Sequence, residues 1–172
     1  MKDWFIAIVL WGVIGSSVFG QSAIVLRPDT SLYVYGMILD DRSTDSLPDA
    51  RITIHDLRQG KPSTELHANG EGKYQFYLGR NARYRVEYTR FDRVAKQVEI
   101  DAASVPDTSW HGGMAMEINI TLPKPFPGSD DPLFHEPIGI SRYNPSTNLL
   151  EWDLNYTSRL KEKWEARRAS SK

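Results

Sequence analysis

At 172 residues the chain has room for one domain of ordinary size, which can bury a core without disulfide or metal support. Its 21 basic and 22 acidic side chains nearly cancel, so no global field draws it to nucleic acid or to an anionic membrane surface. Cysteine is absent, which excludes disulfides, thiolate metal sites, a cysteine nucleophile and a lipidated N-terminal cysteine.

The first predicted element is a leader. Lys2 supplies a short positive region, Trp4 to Ile14 is apolar apart from Gly12, and Val18 and Gly20 fit the small −3 and −1 positions of a signal peptidase site. Residues 1–20 therefore read as a signal peptide, with Gln21 opening a short lead over 21–30. The competing reading, a retained anchor, has only the 16 residues from Trp4 to Phe19, short of the ~20 a spanning helix needs. Export with no membrane span after signal removal is the expectation.

From Leu32 to about Asp101 apolar runs of strand length alternate with turn signals, and no helical period is sustained. Leu32 to Leu39 is apolar on both faces, with Leu32, Val34 and Ile38 on one and Tyr33, Tyr35, Met37 and Leu39 on the other, so cover is expected on both sides. The polar stretch Asp40 to Asp49 turns the chain. Ile52 and Ile54 alternate with Arg51, Thr53 and His55, and a short strand near Thr64 to Ala68 follows. Asn69-Gly70 and Gly72 punctuate a hairpin into Tyr74, Phe76 and Leu78. Tyr84, Val86 and Tyr88, then Val98 and Ile100, continue the inward series. Met114, Met116, Ile118, Ile120 and Leu122 occupy every second position of a last strand. The prediction is all-β: a seven-stranded Greek-key β-sandwich over residues 31–122.

Residues 123–133 are rich in Pro, Gly, Ser and Asp and read as a linker. The tail, 134–172, carries a small hairpin signal, with Phe134, Ile138, Ile140 and Tyr143 before the turn Asn144 to Asn148 and Leu149, Leu150, Trp152 and Leu154 after it. From Tyr156 a short basic helix is expected, with Tyr156, Leu160 and Trp164 spaced four apart among Arg159, Lys161, Lys163, Arg167 and Arg168. So many large rings argue for an ordered tail. Its hairpin is expected to cover the second face of the first strand, and its helix to dock on an acidic partner.

The stretches Val34-Tyr35-Gly36-Met37-Ile38, Leu47-Pro48-Asp49-Ala50-Arg51-Ile52-Thr53-Ile54 and Asn69-Gly70-Glu71-Gly72-Lys73-Tyr74-Gln75-Phe76-Tyr77-Leu78 resemble the carboxypeptidase regulatory-like, or transthyretin-like, domain family. The resemblance covers about Ser31 to Leu122 and implies a prealbumin-like sandwich that generally serves as a non-catalytic accessory or interaction module. The tail, with Phe134-His135-Glu136-Pro137 and Trp152-Asp153, resembles tails that follow this domain in uncharacterised exported proteins of Gram-negative type. It implies a periplasmic or outer-membrane-associated site of action.

Chemistry is sparse. His55, His67, His111 and His135 are scattered, with no spacing that places two on one strand or helix face, and no G-x-S-x-G elbow occurs. No catalytic, cofactor-binding or metal-ligating set emerges, and the chain is expected not to be an enzyme. Asp40, Asp41, Asp45 and Asp49 offer oxygen ligands for Ca²⁺, set against an ordinary solvated turn. Arg83 and Arg85 share the outer face of one strand and suit an acidic ligand, set against keeping an exposed face soluble. The candidate partner-binding residues are thus Arg83, Arg85, Trp152, Tyr156, Leu160 and Trp164. The leading expectation is a binding or structural module of the cell envelope acting through another envelope protein. Glycan is the alternative ligand, with Tyr33, Tyr35 and Tyr77 as the stacking candidates if they share an outer sheet face; an uncharacterised hydrolase comes third.

Overall fold

The computed structural model describes residues 31–58, 61–110 and 113–170. The expected signal peptide, the lead to Thr30 and His111 lie outside the described residues. Among the described residues ten strands form two sheets, followed by one α-helix. In the four-stranded sheet, β1 (Ser31–Asp40) pairs antiparallel with β4 (Lys73–Gly79) on one side. On its other side β1 pairs in parallel with β7 (Met114–Glu117) and β8 (Ile120–Leu122). The six-stranded sheet runs β10 (Leu149–Trp152), β9 (Gly139–Asn144), β6 (Lys96–Asp101), β5 (Arg83–Thr89), β2 (Arg51–Asp56), β3 (Thr64–His67). Helix α1 spans Leu154–Ser170, and among the described residues no helix is long and apolar enough to cross a membrane.

The two-residue period puts Leu32, Val34, Phe76, Leu78, Ile52, Val86, Tyr88, Val98 and Ile100 between the sheets, where all are buried. Each fully buried Leu or Ile of this set contributes about 1.5–3 kcal/mol relative to exposure. Tyr74, Tyr84 and Tyr88 enter the core with their hydroxyls paired, Tyr84 Oη donating to the Gly79 carbonyl at 3.0 Å. Tyr74 Oη donates to the Ile118 carbonyl at 2.6 Å, so the 2.9 Å contact between the Tyr74 and Tyr88 hydroxyls has Tyr88 donating to Tyr74.

Two expectations need correction. The last strand of the 31–122 segment is not continuous. Its alternate residues Met116, Ile118, Ile120 and Leu122 do face inward, but the ladder breaks at Ile118-Asn119 and divides it into β7 and β8. The break is stitched by Ile118 N–H donating to the Tyr35 carbonyl and by Asn119 Oδ1 accepting from Met37 N–H, both at 2.9 Å. Gly36 lies beneath it, and a Cβ there would stand 2.0 Å from the Ile118 oxygen. Close approach, not a turn, is what requires this glycine.

The tail is the second correction. Its hairpin forms as expected, Asn144 opposite Leu149 and Tyr143 opposite Leu150, but it does not cover β1. Instead β9 joins the free side of β6 in parallel, with Val98 opposite Gly139 and Ile100 opposite Ser141. Without β9, β6 would be an edge strand presenting an unpaired backbone beside a buried Val98 and Ile100. Backbone hydrogen bonds thus draw the hairpin to the sheet edge, where an apolar face alone would not.

Candidate binding face

With the tail on the other sheet, the outer face of β1 stays uncovered among the described residues. Strand alternation sends Tyr33, Tyr35 and Met37 outward from β1 and Lys73, Gln75 and Tyr77 outward from β4. The register sets Tyr33 directly opposite Tyr77 and Tyr35 opposite Gln75. Tyr33 is the middle ring of a row: its centroid lies 5.3 Å from Tyr35, nearly parallel at 22°, and 5.0 Å from Tyr77. The end rings are the exposed ones, Tyr35 at 38% and Tyr77 at 45%. Tyr33 Oη donates to Gln75 Oε1 at 2.7 Å, which fixes the middle ring and leaves the Gln75 amide nitrogen to donate outward. Glu117 stands opposite Tyr35 on the β7 side and accepts from Asn119 Nδ2 at 2.9 Å. The result is a rigid aromatic row framed by an amide and a carboxylate, able to stack on the apolar face of a ligand and bond its rim.

The other candidates are brought elsewhere and used differently. Arg83 and Arg85 share the outer face of β5, where both turn onto one carboxylate: Arg85 Nη2 lies 2.8 Å from Glu99 Oε1, and Arg83 Nη2 lies 3.3 Å from Glu99 Oε2. The Glu99 side chain is only 11% exposed, so this clamp satisfies a charge that the sheet would otherwise bury unpaired. Trp152 lies between the sheets against Gly139, where a Cβ would approach its ring to 3.0 Å, and lines a groove of about 290 Å³ with Ile118, Ile120 and Leu154.

The α1 stripe was expected on a partner, and here the structure corrects the reading: it packs on the chain itself. Asp153 caps the helix by accepting from Tyr156 N–H at 2.9 Å. Tyr156 Oη donates to the Pro137 carbonyl at 2.7 Å, Leu160 is 4% exposed, and Trp164 Nε1 donates to the Leu133 carbonyl at 3.0 Å. The Trp164 ring sits 5.5 Å from Phe134, which meets Phe126 edge-on at 5.1 Å, and Arg167 pairs with Asp131 at 2.6 Å. Linker and helix hold each other, and the exposed Arg159, Lys161 and Lys163 are what α1 turns to solvent.

The acidic turn is also spoken for. Asp40 accepts from the backbone N–H of Arg42 at 2.8 Å and of Ser43 at 3.2 Å, and pairs with Arg93 Nη2 at 2.5 Å. Those backbone donors, then the Arg93 charge, hold its carboxyl below the usual value. Among the described residues no group of three or more histidine, aspartate or glutamate side chains gathers in a way that could hold a metal ion.

No family model and no curated protein sequence matches this chain. Solved structures do share its fold over part of its length. The Bacillus anthracis TIE protein matches at 17% identity and TM-score 0.44, over 55% of this chain and 17% of that one. The 3-chlorocatechol 1,2-dioxygenase of Rhodococcus opacus 1CP matches at 10% identity and TM-score 0.42, over 56% and 61%. The group B streptococcus pilus 2b backbone protein matches at 10% and 0.37, over 54% and 40%. The chain therefore spans less than two thirds of the length of each.

These matches correct the expectation that the chain is not an enzyme. Three further catechol or chlorocatechol 1,2-dioxygenases are among the matched structures. Their identities of 10–12%, over 56–59% of this chain, mark a likeness of fold and not of activity. Sequence reasoning singled out the three tyrosines but missed Gln75 and Glu117 beside them. Their signal was only their register, which single-strand periodicity does not contain.

Proposed function

We propose that this chain is a glycan-binding module of the bacterial cell envelope, related to the carboxypeptidase regulatory-like domains, and that it binds through the outer face of its four-stranded sheet. The observation that carries this reading is the row of Tyr35, Tyr33 and Tyr77 on a sheet face that the tail leaves open. Sugar rings present flat C–H faces that stack on aromatic rings, and hydroxyl rims that suit the Gln75 amide and the Glu117 carboxylate. The expected leader, Met1 to Gly20, supports an exported chain that meets such ligands.

A second reading, contact with another envelope protein through the same row, is favoured by tyrosine itself, which supplies large rigid contact area at low entropic cost. The tail residues that first recommended protein contact are engaged within the chain.

Sedimentation of the protein with insoluble chitin and with purified peptidoglycan sacculi tests the first reading. The unaltered chain should bind at least one. Tyr35→Ala with Tyr77→Ala should weaken binding by about tenfold or more, the equivalent of ~1.4 kcal/mol, while the chain stays folded at the assay temperature, since each lost ring contact with Tyr33 costs only about 0.2–1 kcal/mol. Failure to bind either polysaccharide, or equal binding by the double variant, removes the glycan reading.

A further inference from the structure

The groove beside Trp152 and the tyrosine row are neighbours. The groove opens where the two sheets part, with Ile118 and Ile120 on the side of the four-stranded sheet and Val98, Ile138 and Trp152 on the side of the six-stranded one. Leu154, the first residue of α1, lines the groove while 72% exposed, and so stands at its mouth. Glu117 joins the groove to the outer face. It lines the groove, and in the parallel register of β1 and β7 it is the residue opposite Tyr35, one strand spacing of about 4.8 Å away. Asn119 Nδ2 donates to Glu117 Oε1, which leaves Oε2 to accept from a ligand.

The chemistry of the groove narrows what it takes. Its walls are apolar, and among the described residues Glu117 is the one charge that lines it, with no lysine or arginine. A fatty acid or a phospholipid would bring its carboxylate or phosphate to the Glu117 carboxylate with no cation to receive it. An uncharged alkyl chain meets no such repulsion, and laid against Leu154 it would take a leucine out of water. The volume of about 290 Å³ accommodates on the order of ten methylene groups, taking each at the ~30 Å³ that a water molecule occupies in the liquid.

We propose that the ligand is an uncharged glycolipid: its sugar stacks on the row of Tyr35, Tyr33 and Tyr77, and its alkyl chain turns over the β7 edge at Glu117 into the groove beside Trp152. This rests on the glycan reading above and deepens it by naming what the glycan is attached to. Glu117 sits at the junction, where its carboxylate accepts from the sugar hydroxyls nearest the alkyl chain. A soluble polysaccharide would engage the row alone.

Isothermal titration of the full-length protein with alkyl glycosides of N,N′-diacetylchitobiose, below their micelle-forming concentrations, tests whether the two surfaces act together. The decyl glycoside should bind about tenfold or more tightly than the hexyl glycoside, since each fully buried methylene is worth up to roughly fourfold. It should exceed by about the same factor a decyl polyethylene glycol ether, which has the alkyl chain and no sugar. Tyr35→Ala with Tyr77→Ala should bind the decyl glycoside no better than the ether. Leu154→Asp places a carboxylate at the groove mouth, on a helix N-terminus that favours it. That variant should cut the gain from hexyl to decyl to less than about threefold and leave the binding of diacetylchitobiose itself unchanged. Hexyl and decyl glycosides that bind alike, while chitin or sacculi still sediment the protein, overturn the glycolipid and leave the glycan reading standing. A decyl ether that binds as tightly as the glycoside, or a Leu154→Asp variant that keeps the full gain, sets the alkyl chain apart from the row and overturns the glycolipid as well. Binding of none of the probes overturns it whatever the polysaccharides do, and if those too fail to bind, both readings fall.

Discussion

Tyr74 and Tyr88 are the titratable groups most deeply set in the core, and burial pushes both hydroxyls well above the ordinary tyrosine value; for Tyr88 the neighbouring Tyr74 adds to the effect. Because the folded state holds these protons more tightly than the unfolded chain, their contribution to stability is complete below about pH 10 and is lost as pH rises toward the folded values. Melting temperature should therefore fall steeply above roughly pH 10. Tyr88→Phe leaves the Tyr74 bond to Ile118 in place, should cost about 0.5–1.5 kcal/mol at neutral pH, and should flatten the alkaline fall. An alkaline limb of unchanged slope in the variant would show that other groups set it. Gly36 is the second residue on which the fold leans. Gly36→Ala drives a methyl group into the Ile118 carbonyl and should cost about 1–3 kcal/mol or more, measured by urea unfolding. Gly70→Ala meets nothing within 4 Å and should change stability by no more than about 0.5 kcal/mol. In sequence Gly70 reads as turn punctuation, whereas Gly36 is one position within a strand stretch. Only the approach of Ile118, distant in sequence, separates the demanding one from the tolerant one.

Among the elements, α1 departs furthest from its sequence reading. A 17-residue helix with a basic surface is marginal alone, and the spacing of Tyr156, Leu160 and Trp164 established a face without saying what covers it. The cover is the end of the linker and the start of the tail: Leu133, Phe134 and Pro137 receive the stripe, and Asp131 receives Arg167. Truncation after Thr157 should therefore destabilise the protein. The loss of Leu160 burial alone is worth about 1.5–3 kcal/mol, and that of the Trp164 contacts adds to it. A denaturation midpoint that matches the full chain would mean the helix rests on the domain without stabilising it. The hairpin, by contrast, was legible in sequence, because Asn144-Pro145-Ser146-Thr147-Asn148 is a local turn signal; Asn148 adopts the left-handed conformation with φ 58° that asparagine tolerates.

At the scale of the whole molecule, the boundary that composition draws at residues 123–133 is a crossover within one fold, since β9 beyond it completes the sheet begun by β6. Truncation after Pro132 should strip that edge and yield protein that aggregates on concentration, as read by light scattering, whereas an independent tail would leave a soluble sandwich. N-terminal sequencing of the localised protein should find Gln21, and an intact Met1 would replace the signal reading with an anchor. The sequence by itself determined the all-β class, the inward alternation of the strands with one apolar face and the grouping of Tyr33 with Tyr35 on one face of the first strand, because these rest on a period of two that each segment carries locally. Tertiary structure alone decided which strands are neighbours, hence that the tail adds to the edge of β6 and, among the described residues, leaves the face of β1 uncovered, that Arg83 and Arg85 close on Glu99, and that the tyrosines meet as one row. Those outcomes depend on register and on competition between distant segments for unpaired backbone and uncovered surface. No periodicity within one segment records who wins it.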